Sequence, residues 1–317
     1  MAEACSGAAP LTAEGPASPA AGAGEDPPPG KFDRDTAVWR EEEELSTAPG
    51  NGAERLGGRA LFRARIAPDW RAGRGPHGGY IAAILLRALS ESVADHARAP
   101  RSLTIHYARA PQPGPVQIAT SVERQGRSLT TLSARMHQDG ELVALALSAF
   151  SLPWGGPEIS QVQMPDVAGA DPSREGVKLI ERGGPEFARH LVLQPRMDGT
   201  LFAGGEQPME IRAWLGLAEP RAIDPLSLAF FADALIPAPY THLPEPAAVP
   251  TIDLTVHFQQ QMPRAGDPDP RELCLAQTRS DLIHDGFFVE DGLIWAADGT
   301  LLARSRQLAI VIPFAKR

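Results

Sequence analysis

The sequence predicts an α+β fold of two similar halves, each with an antiparallel sheet wrapped round one long apolar helix. The first observation is that each half holds one segment that is apolar almost all round, Gly79–Leu89 and Leu226–Ile236, a pattern typical of buried helices. The second is that strand-like segments with turn signals such as Asp139-Gly140 follow each helix, and consecutive hairpins form antiparallel sheets. The third is that short motifs recur in the same order in both halves.

In the first half, the segment Arg59–Ile66 is a predicted strand that precedes the helix. The strands predicted after this helix are Ser102–Ala108, Val116–Glu123, Leu129–His137 and Leu142–Leu152. In the second half, Asp224 followed by Pro225 predicts the start of the helix, because Asp caps helices well and Pro suits the first helical position. The strands predicted in this half are His190–Gln194, Met209–Gly216, Ile252–Gln259, Glu272–Thr278, Phe287–Ala296 and Leu301–Ile312.

Composition sets the predicted domain boundaries. Residues 1–36 are mostly Ala, Gly and Pro, which bury too little apolar surface to fold, so they predict a disordered tail. Residues 37–153 form the predicted N-terminal domain and residues 186–317 the C-terminal domain. Between them, residues 154–185 are rich in Gly, Pro and polar side chains and are interpreted as a linker.

Two pairs of matching segments indicate an internal duplication. SLTIHYARAPQPG at Ser102–Gly114 resembles DLTVHFQQQMPRAG at Asp253–Gly266. Likewise, DGELVALALSAF at 139–150 resembles DGTLLARSRQLA at 298–309. His106 and His257 fall at equivalent positions of the first pair. A repeated position favours a structural or strand-edge role for these histidines over metal binding.

Charge and cysteine content exclude several classes of function. The net charge is −9, which argues against nucleic acid as a partner because phosphate binding relies on clustered Lys and Arg. Cys5 and Cys274 have no near cysteine partners, so a cysteine zinc site is not expected. Cys5 lies in the predicted disordered tail, so a structural disulfide is not expected either. No apolar run is long enough to span a membrane, and the N-terminus lacks a secretory signal pattern, so a cytoplasmic protein is expected.

The glycine-rich start of the first helix is a candidate for oxygen binding. Gly73 to Gly78 fit the dinucleotide pattern G-x-G-x-x-G, but the hairpins that follow disagree with the strand–helix alternation of a Rossmann fold. We instead expect the backbone N–H groups of Gly78 and Gly79 to face outward at the positive end of the helix dipole, where they can hold a carbonyl oxygen or oxyanion. Close backbone packing is an alternative that does not exclude this function. His77, just before them, is a candidate for contact with substrate.

Asp233 is the most informative polar residue of the second half. The sequence places it in the middle of an almost wholly apolar helix, where a carboxylate is costly to bury unless it is hydrogen-bonded. It is therefore either a catalytic carboxylate or part of a narrow solvent-facing stripe. Thr251, which opens a predicted strand, and Gln307, in the last strand, are either exposed strand residues or site residues.

The order of these motifs resembles the type II acyl-CoA thioesterases, which have the double hotdog fold. The N-terminal half shows the Gly-Gly helix start in PHGGYIAAILLRAL, then SLTIHYARAPQPG, then an R-x-G-x-S motif at Arg124–Ser128. The C-terminal half is similar to the family in MEIRAWLGL, LAFFADAL, PTIDLTVHF and DGFFVEDGLIWAADGTLLARSRQLAIV. The resemblance covers residues 55–313 apart from the linker.

This resemblance implies a catalytic set. The family's Asp, Thr or Ser, and Gln fall on Asp233, Thr251 and Gln307, which would hold a water that attacks the acyl-CoA thioester without a metal or a covalent intermediate. No cofactor is implied beyond the coenzyme A of the substrate. The resemblance also implies a role in fatty acid metabolism and a homodimer. His77 stands where the family often has Phe.

Two other functions remain open at this point. A non-catalytic acyl-CoA-binding or lipid-binding protein could use the same fold. Hydration of enoyl-CoA is less favoured, because it needs a paired Asp and His, and the nearest histidine after Asp233 is His242.

Overall fold

The computed structural model describes residues 29–41, 58–93, 95–197, 201–202, 204, 207–262, 264 and 268–314. The predicted disordered tail lies outside these residues as far as residue 28, and Cys5 lies outside them too. Within the described part of the chain, no helix is both long and apolar enough to cross a membrane.

The first half contains most of the predicted elements within a few residues of the expected bounds. Its helices are α1 (Lys31–Asp35) and α2 (Gly78–Ser92). Its strands are β1 (Val38–Glu41), β2 (Arg59–Ile66), β3 (Arg71–Ala72), β4 (Gly75–Pro76), β5 (Ala99–Tyr107), β6 (Gly114–Gln125), β7 (Leu129–Gln138) and β8 (Glu141–Ser151). A short 3₁₀ helix spans Pro68–Trp70.

The second half repeats this arrangement with a shorter helix. Its helix is α3 (Pro225–Phe231), capped as predicted by the Asp224 side chain, which accepts from the Ser227 N–H. Its strands are β9 (Leu191–Pro195), β10 (Met209–Leu217), β11 (Ala247–Ala248), β12 (Thr251–Phe258), β13 (Cys274–Ser280), β14 (Ile283–His284), β15 (Phe287–Trp295), β16 (Leu301–Ile310) and β17 (Ile312–Pro313). Further 3₁₀ helices span Leu179–Arg182, Glu186–His190 and Ala238–Thr241.

In the described part of the chain, 13 strands from both halves form one continuous sheet, in which the sheets predicted for the two halves are joined edge to edge, while β3 pairs with β4 and β11 with β17 outside it. The order is β1-β2-β6-β7-β8-β5-β12-β16-β15-β13-β10-β9, with β14 paired to β15. The halves join where β5 pairs antiparallel with β12. Each of these strands would otherwise end its own half-sheet with unpaired backbone groups, and the pairing satisfies both edges.

The join between the halves falls on the duplicated motif. Ser102 pairs with His257, and Asp253 pairs with His106, so equivalent positions face each other symmetrically across the seam. At its centre, Thr255 Oγ1 donates to Thr104 Oγ1 at 3.1 Å. The two repeated histidines are exposed strand residues at this seam. The duplication therefore builds the interface between the halves.

The predicted linker crosses the outer face of the C-terminal part of the sheet. Apolar residues of this segment, Val162, Met164 and Val167 among them, pack against a buried cluster that includes Trp214 and Trp295. The Trp214 Nε1–H donates to the Ala168 carbonyl at 2.9 Å, which fixes the segment in place.

Helix α1 corrects the prediction that the tail extends to residue 36. Phe32 is only 4% exposed and contacts the rings of Trp70 and Phe230, at centroid distances of 5.9 and 5.6 Å. A helix of five residues is not stable alone, so these tertiary contacts hold it.

Charged residues tie α1 to both halves. The Asp33 carboxylate accepts from Arg87 of α2 at 2.9 Å and from Arg221, just before α3, at 2.8 Å. Although burial disfavours its charge, hydrogen bonds from these guanidinium groups hold the pKa of Asp33 below its usual range. Helix α1 thus bridges α2 and the start of α3.

The substitution Phe32→Ala tests whether α1 belongs to the cooperative fold. We expect it to lower the free energy of unfolding by about 3 kcal/mol, because it opens a cavity among buried rings. Chemical denaturation followed by circular dichroism measures the change. The control is Trp39→Ala in β1, whose side chain is 57% exposed and should contribute about 0.5 kcal/mol or less. Equal effects of the two substitutions would place α1 outside the fold.

Candidate active site

The candidate site forms where the first turn of α2 meets the end of α3. A Cβ atom on Gly79 would lie 2.5 Å from the Phe230 carbonyl oxygen, so the helices approach this closely only because residue 79 is glycine. A Cβ atom on Gly78 would lie 2.8 Å from Asp233 Oδ2. The Gly-Gly pair therefore serves the close packing that was one of its two predicted roles.

Asp233 lies in the turn after α3, which corrects the prediction of a position in mid-helix. The helix ends at Phe231, and the Asp233 N–H donates to the Phe230 carbonyl at 3.3 Å in a tightened last turn. Pro237 stands where the next helical donor to the Asp233 carbonyl would be, and proline has no N–H. The Asp233 carbonyl therefore has no helical N–H donor, and it accepts from His77 instead.

The Asp233 carboxylate lies on the N-terminal end of α2. Its Oδ2 accepts from the Gly79 N–H at 2.9 Å, and its side chain is 12% exposed. The exposed N–H groups and the dipole of this 15-residue helix favour a negative charge at that end. The bond occupies the Gly79 N–H, contrary to the expectation that it is free for an oxyanion. Among the described residues, the Gly78 N–H and Asp233 Oδ1 make no hydrogen bond.

His77 holds the other side of the Asp233 turn. Its Nε2–H donates to the Asp233 carbonyl at 2.8 Å, and its Nδ1 accepts from the Tyr80 N–H at 3.3 Å as the N-cap of α2. Both bonds require the neutral ring with its proton on Nε2. Burial lowers the pKa of His77, which favours this neutral form. His77 therefore contacts the turn that carries Asp233.

Tyr107 also lies next to Asp233. Its hydroxyl donates to the Gly78 carbonyl at 2.9 Å. Burial, and then the charge of Asp233, raises the pKa of the Tyr107 phenol well above its usual value. The residue follows the repeated histidine at the end of β5, and the sequence analysis did not identify it.

Thr251 and Gln307 meet across two adjacent strands. Thr251 opens β12 as predicted, and Gln307 lies on β16, which pairs with it. Thr251 Oγ1 donates to Gln307 Oε1 at 2.9 Å. The Gln307 side chain is nearly buried, so it is not an ordinary exposed strand residue.

Glu290 extends this pair into a chain of hydrogen bonds. Gln307 Nε2 donates to Glu290 Oε1 at 2.8 Å, and the Ala238 N–H donates to Glu290 Oε2 at 2.6 Å. Burial, followed by the nearby charge of Asp233, raises the pKa of Glu290 to about 7. The Asp233 turn is thus held by α2 at one end and by Glu290, through Ala238, at the other.

Thr251 and Gln307 are therefore bonded to each other, and Glu290 connects them through the Ala238 N–H to the segment that follows Asp233. Within the described part of the chain, no direct hydrogen bond joins Asp233 to Thr251 or Gln307, so their action as one catalytic set stays a prediction. Glu290 is not among the predicted site residues. The alternation of buried and exposed residues along β15 could have indicated it, because this pattern places Glu290 on the buried face together with Phe288 and Gly292. Across the described ranges, no group of three or more His, Cys, Asp or Glu side chains is arranged to hold a metal ion.

Comparison with solved structures shows the hotdog fold. The chain is similar to a hotdog-fold protein of unknown function from Alicyclobacillus acidocaldarius, with a TM-score of 0.73 and 24% identity over 90% of this chain and 100% of that one. It is also similar to an acyl-CoA thioesterase II from Mycobacterium marinum, with a TM-score of 0.65 and 18% identity over 90% of this chain and 99% of that one.

Sequence similarity to known proteins extends over both halves of the chain. An uncharacterized protein of Mycobacterium tuberculosis is 24% identical over 291 residues, which cover 84% of this chain and 94% of that protein. Residues 66–151 match the family model of the acyl-CoA thioesterase N-terminal domain, and residues 162–311 match that of the C-terminal domain. The chain therefore belongs to the acyl-CoA thioesterase family, with both of the family's domains in one polypeptide.

Proposed function

We propose that this protein hydrolyses acyl-CoA thioesters to the free acid and coenzyme A, with a water held by Asp233, Thr251 and Gln307. The observation that carries the proposal is the position of the Asp233 carboxylate. It lies on the N-terminus of α2, and its Oδ1 makes no hydrogen bond among the described residues. Glu290 connects the segment after Asp233, through the Ala238 N–H, to the hydrogen-bonded pair of Thr251 and Gln307. The domain matches give the substrate class its support.

The chemistry assigns one role to each of these groups. Asp233 Oδ1 accepts a proton from the water as its oxygen bonds to the acyl carbon. The Thr251 hydroxyl and the second Nε2–H of Gln307 orient the water. The C–S bond of the resulting tetrahedral adduct then breaks, and the leaving coenzyme A thiolate receives the proton from Asp233. No covalent enzyme intermediate is needed.

The Gly78 N–H is the proposed donor to the oxyanion. It is a first-turn N–H of α2, lies next to Asp233, and has no partner among the described residues. A donor aimed at the developing negative charge lowers the barrier more than it strengthens substrate binding. Gly79 contributes indirectly, because its N–H holds the base.

Two arginines beside the site are proposed to bind the phosphates of coenzyme A. Arg71 and Arg74 line a recess next to the start of α2, together with Gly75 and Pro76. Both side chains are exposed, and Arg71 Nη2 donates to the Gly73 carbonyl at 3.2 Å. Guanidinium groups suit phosphates because they form bidentate hydrogen bonds.

Asp233→Asn tests the base directly. We expect kcat to fall about 100-fold or more, because asparagine cannot accept the proton but can still accept from the Gly79 N–H. Release of free thiol from a panel of acyl-CoAs measures the rate, and the exposed Asp281→Asn is the control. Wild-type protein that binds acyl-CoA tightly without turnover would instead favour a non-catalytic binding protein.

Thr251→Val tests the orientation of the water. The change removes the hydroxyl at nearly constant volume, and we expect kcat to fall about tenfold, the equivalent of one lost hydrogen bond of about 1.4 kcal/mol. The same assay measures it. Thr255→Val on the same strand is the matched control, because that hydroxyl bonds to Thr104 at the seam. A rate loss shared by both variants would indicate a structural effect on β12.

The double substitution Arg71→Ala/Arg74→Ala tests phosphate binding. We expect KM for acyl-CoA to rise about tenfold with kcat nearly unchanged, because the arginines bind a part of the substrate remote from the reaction. The N-acetylcysteamine thioester of the same acid has no phosphate and should be hydrolysed at an unchanged rate. An equal loss on both substrates would argue against a phosphate contact. Arg63→Ala, an exposed arginine on β2, is the control.

A further inference from the structure

Glu290 is a second carboxyl group within the candidate site, and it is more buried than Asp233. Its side chain lies on the inward face of β15 and is 3% exposed. A carboxyl group at such a position is costly to ionise unless donors or a cation compensate for the lost water. No Lys, Arg or His forms an ion pair with it among the residues that the structure describes. The compensation for its lost hydration therefore comes from two neutral hydrogen-bond donors.

Both oxygens of Glu290 accept hydrogen bonds. The donors are the Ala238 N–H, at 2.6 Å, and Gln307 Nε2, at 2.8 Å. This arrangement suits the ionised carboxylate, because a protonated carboxyl group would carry an O–H with no acceptor opposite it. The hydrogen bonds of Glu290 are therefore those of an ionised carboxylate, although its buried surroundings disfavour the charge.

The charged groups that affect the ionisation of Glu290 are both negative. Asp233 faces it from the turn after α3 and disfavours its ionisation, as does Asp291 on its own strand. Asp291 pairs with Arg306 at the surface, whereas β16 presents the neutral Gln307. Burial is the largest effect, and the pKa of Glu290 is about 7 as a result.

The Gln307 amide can satisfy its neighbours in only one orientation while Glu290 is charged. Thr251 Oγ1 donates to the Gln307 oxygen, and the amide nitrogen donates to Glu290. A proton on Glu290 supplies an O–H, which Gln307 can accept only with its amide oxygen. Reaching it requires the amide to turn by half a rotation, which breaks the bond with Thr251.

We propose that Glu290 is a positioning residue for the hydrolysis, and that its ionised carboxylate fixes the Gln307 amide in the orientation that holds the attacking water. This inference rests on the proposed function. Glu290 touches neither the water nor the substrate, and it acts through Gln307.

The proposal has a definite pH dependence. Above a pH of about 7, Glu290 is ionised and Gln307 is held towards Thr251, so turnover is fast. As the pH falls through this value, protonation releases the amide and kcat falls. The pH profile of kcat should therefore contain an inflection near 7 that belongs to Glu290.

The test combines NMR with kinetics on the full chain. The side-chain amide signals of Gln307, assigned by their loss in Gln307→Leu, are followed against pH in the wild-type protein, in Glu290→Gln and in the exposed control Asp281→Asn. We expect them to titrate with a midpoint near 7 in the wild type and in the control, and to be constant in Glu290→Gln. The same substitution should lower kcat about tenfold at alkaline pH, with little change in KM, and remove the inflection near 7.

The outcomes separate this inference from the proposed function. Gln307 signals that do not change around pH 7 in the wild type, or that titrate unchanged in Glu290→Gln, overturn the inference. If the wild-type protein hydrolyses acyl-CoA but its pH profile of kcat lacks the inflection near 7, the positioning role is overturned and the proposed function stands. Titration of the amide without turnover on any acyl-CoA rejects the proposed function and retains the coupling between Glu290 and Gln307. The wild-type titration remains decisive even if a variant fails to fold.

Discussion

The candidate site depends on the contact between the first turn of α2 and the turn after α3, where the Gly79 N–H donates to Asp233 Oδ2 at 2.9 Å. A nearly buried carboxylate needs such donors, and a helix N-terminus offers them together with a favourable dipole. The two glycines permit the approach because a Cβ atom at either position would collide with the other half. The site therefore exists only where both halves of the chain meet.

The remaining polar groups follow from this contact. His77 caps α2 and holds the carbonyl of Asp233, while Glu290 holds the Ala238 N–H on the far side of the same turn. Glu290 also bonds to Gln307, which bonds to Thr251. Buried polar groups linked in this way are satisfied together or not at all, so the network positions each side chain more narrowly than separate contacts would. The candidate base and the candidate water-binding pair are tied to one short segment.

The sequence predicts the elements well and their ends less well. Helix α2 and the strands of both halves follow from apolar patterns of clear period, which local residues determine. The apolar pattern continues to Ile236, but α3 ends at Phe231, and the next residues form tighter i→i−3 bonds from Asp233 to Phe230 and from Ala234 to Phe231. Pro237 does not set this end, because it removes only the bond to the Asp233 carbonyl. Helix α1 could not be predicted, since its stability comes from distant rings around Phe32. The single sheet arises from pairing between halves, which no local pattern specifies.

The residues of the candidate site are also only partly predictable from the sequence. Asp233, Thr251 and Gln307 follow from resemblance to a family, whereas their neighbour Glu290 is visible only through strand alternation. The proposed function requires one water between Asp233, Thr251 and Gln307, opposite a substrate carbonyl at the Gly78 N–H. A crystal structure with a non-hydrolysable ketone analogue of an acyl-CoA, in which a methylene group replaces the thioester sulfur, tests this requirement most directly. We expect an ordered water within hydrogen-bonding distance of all three side chains, and the carbonyl oxygen of the analogue at Gly78. An acyl group bound elsewhere, with no water between these residues, would contradict it.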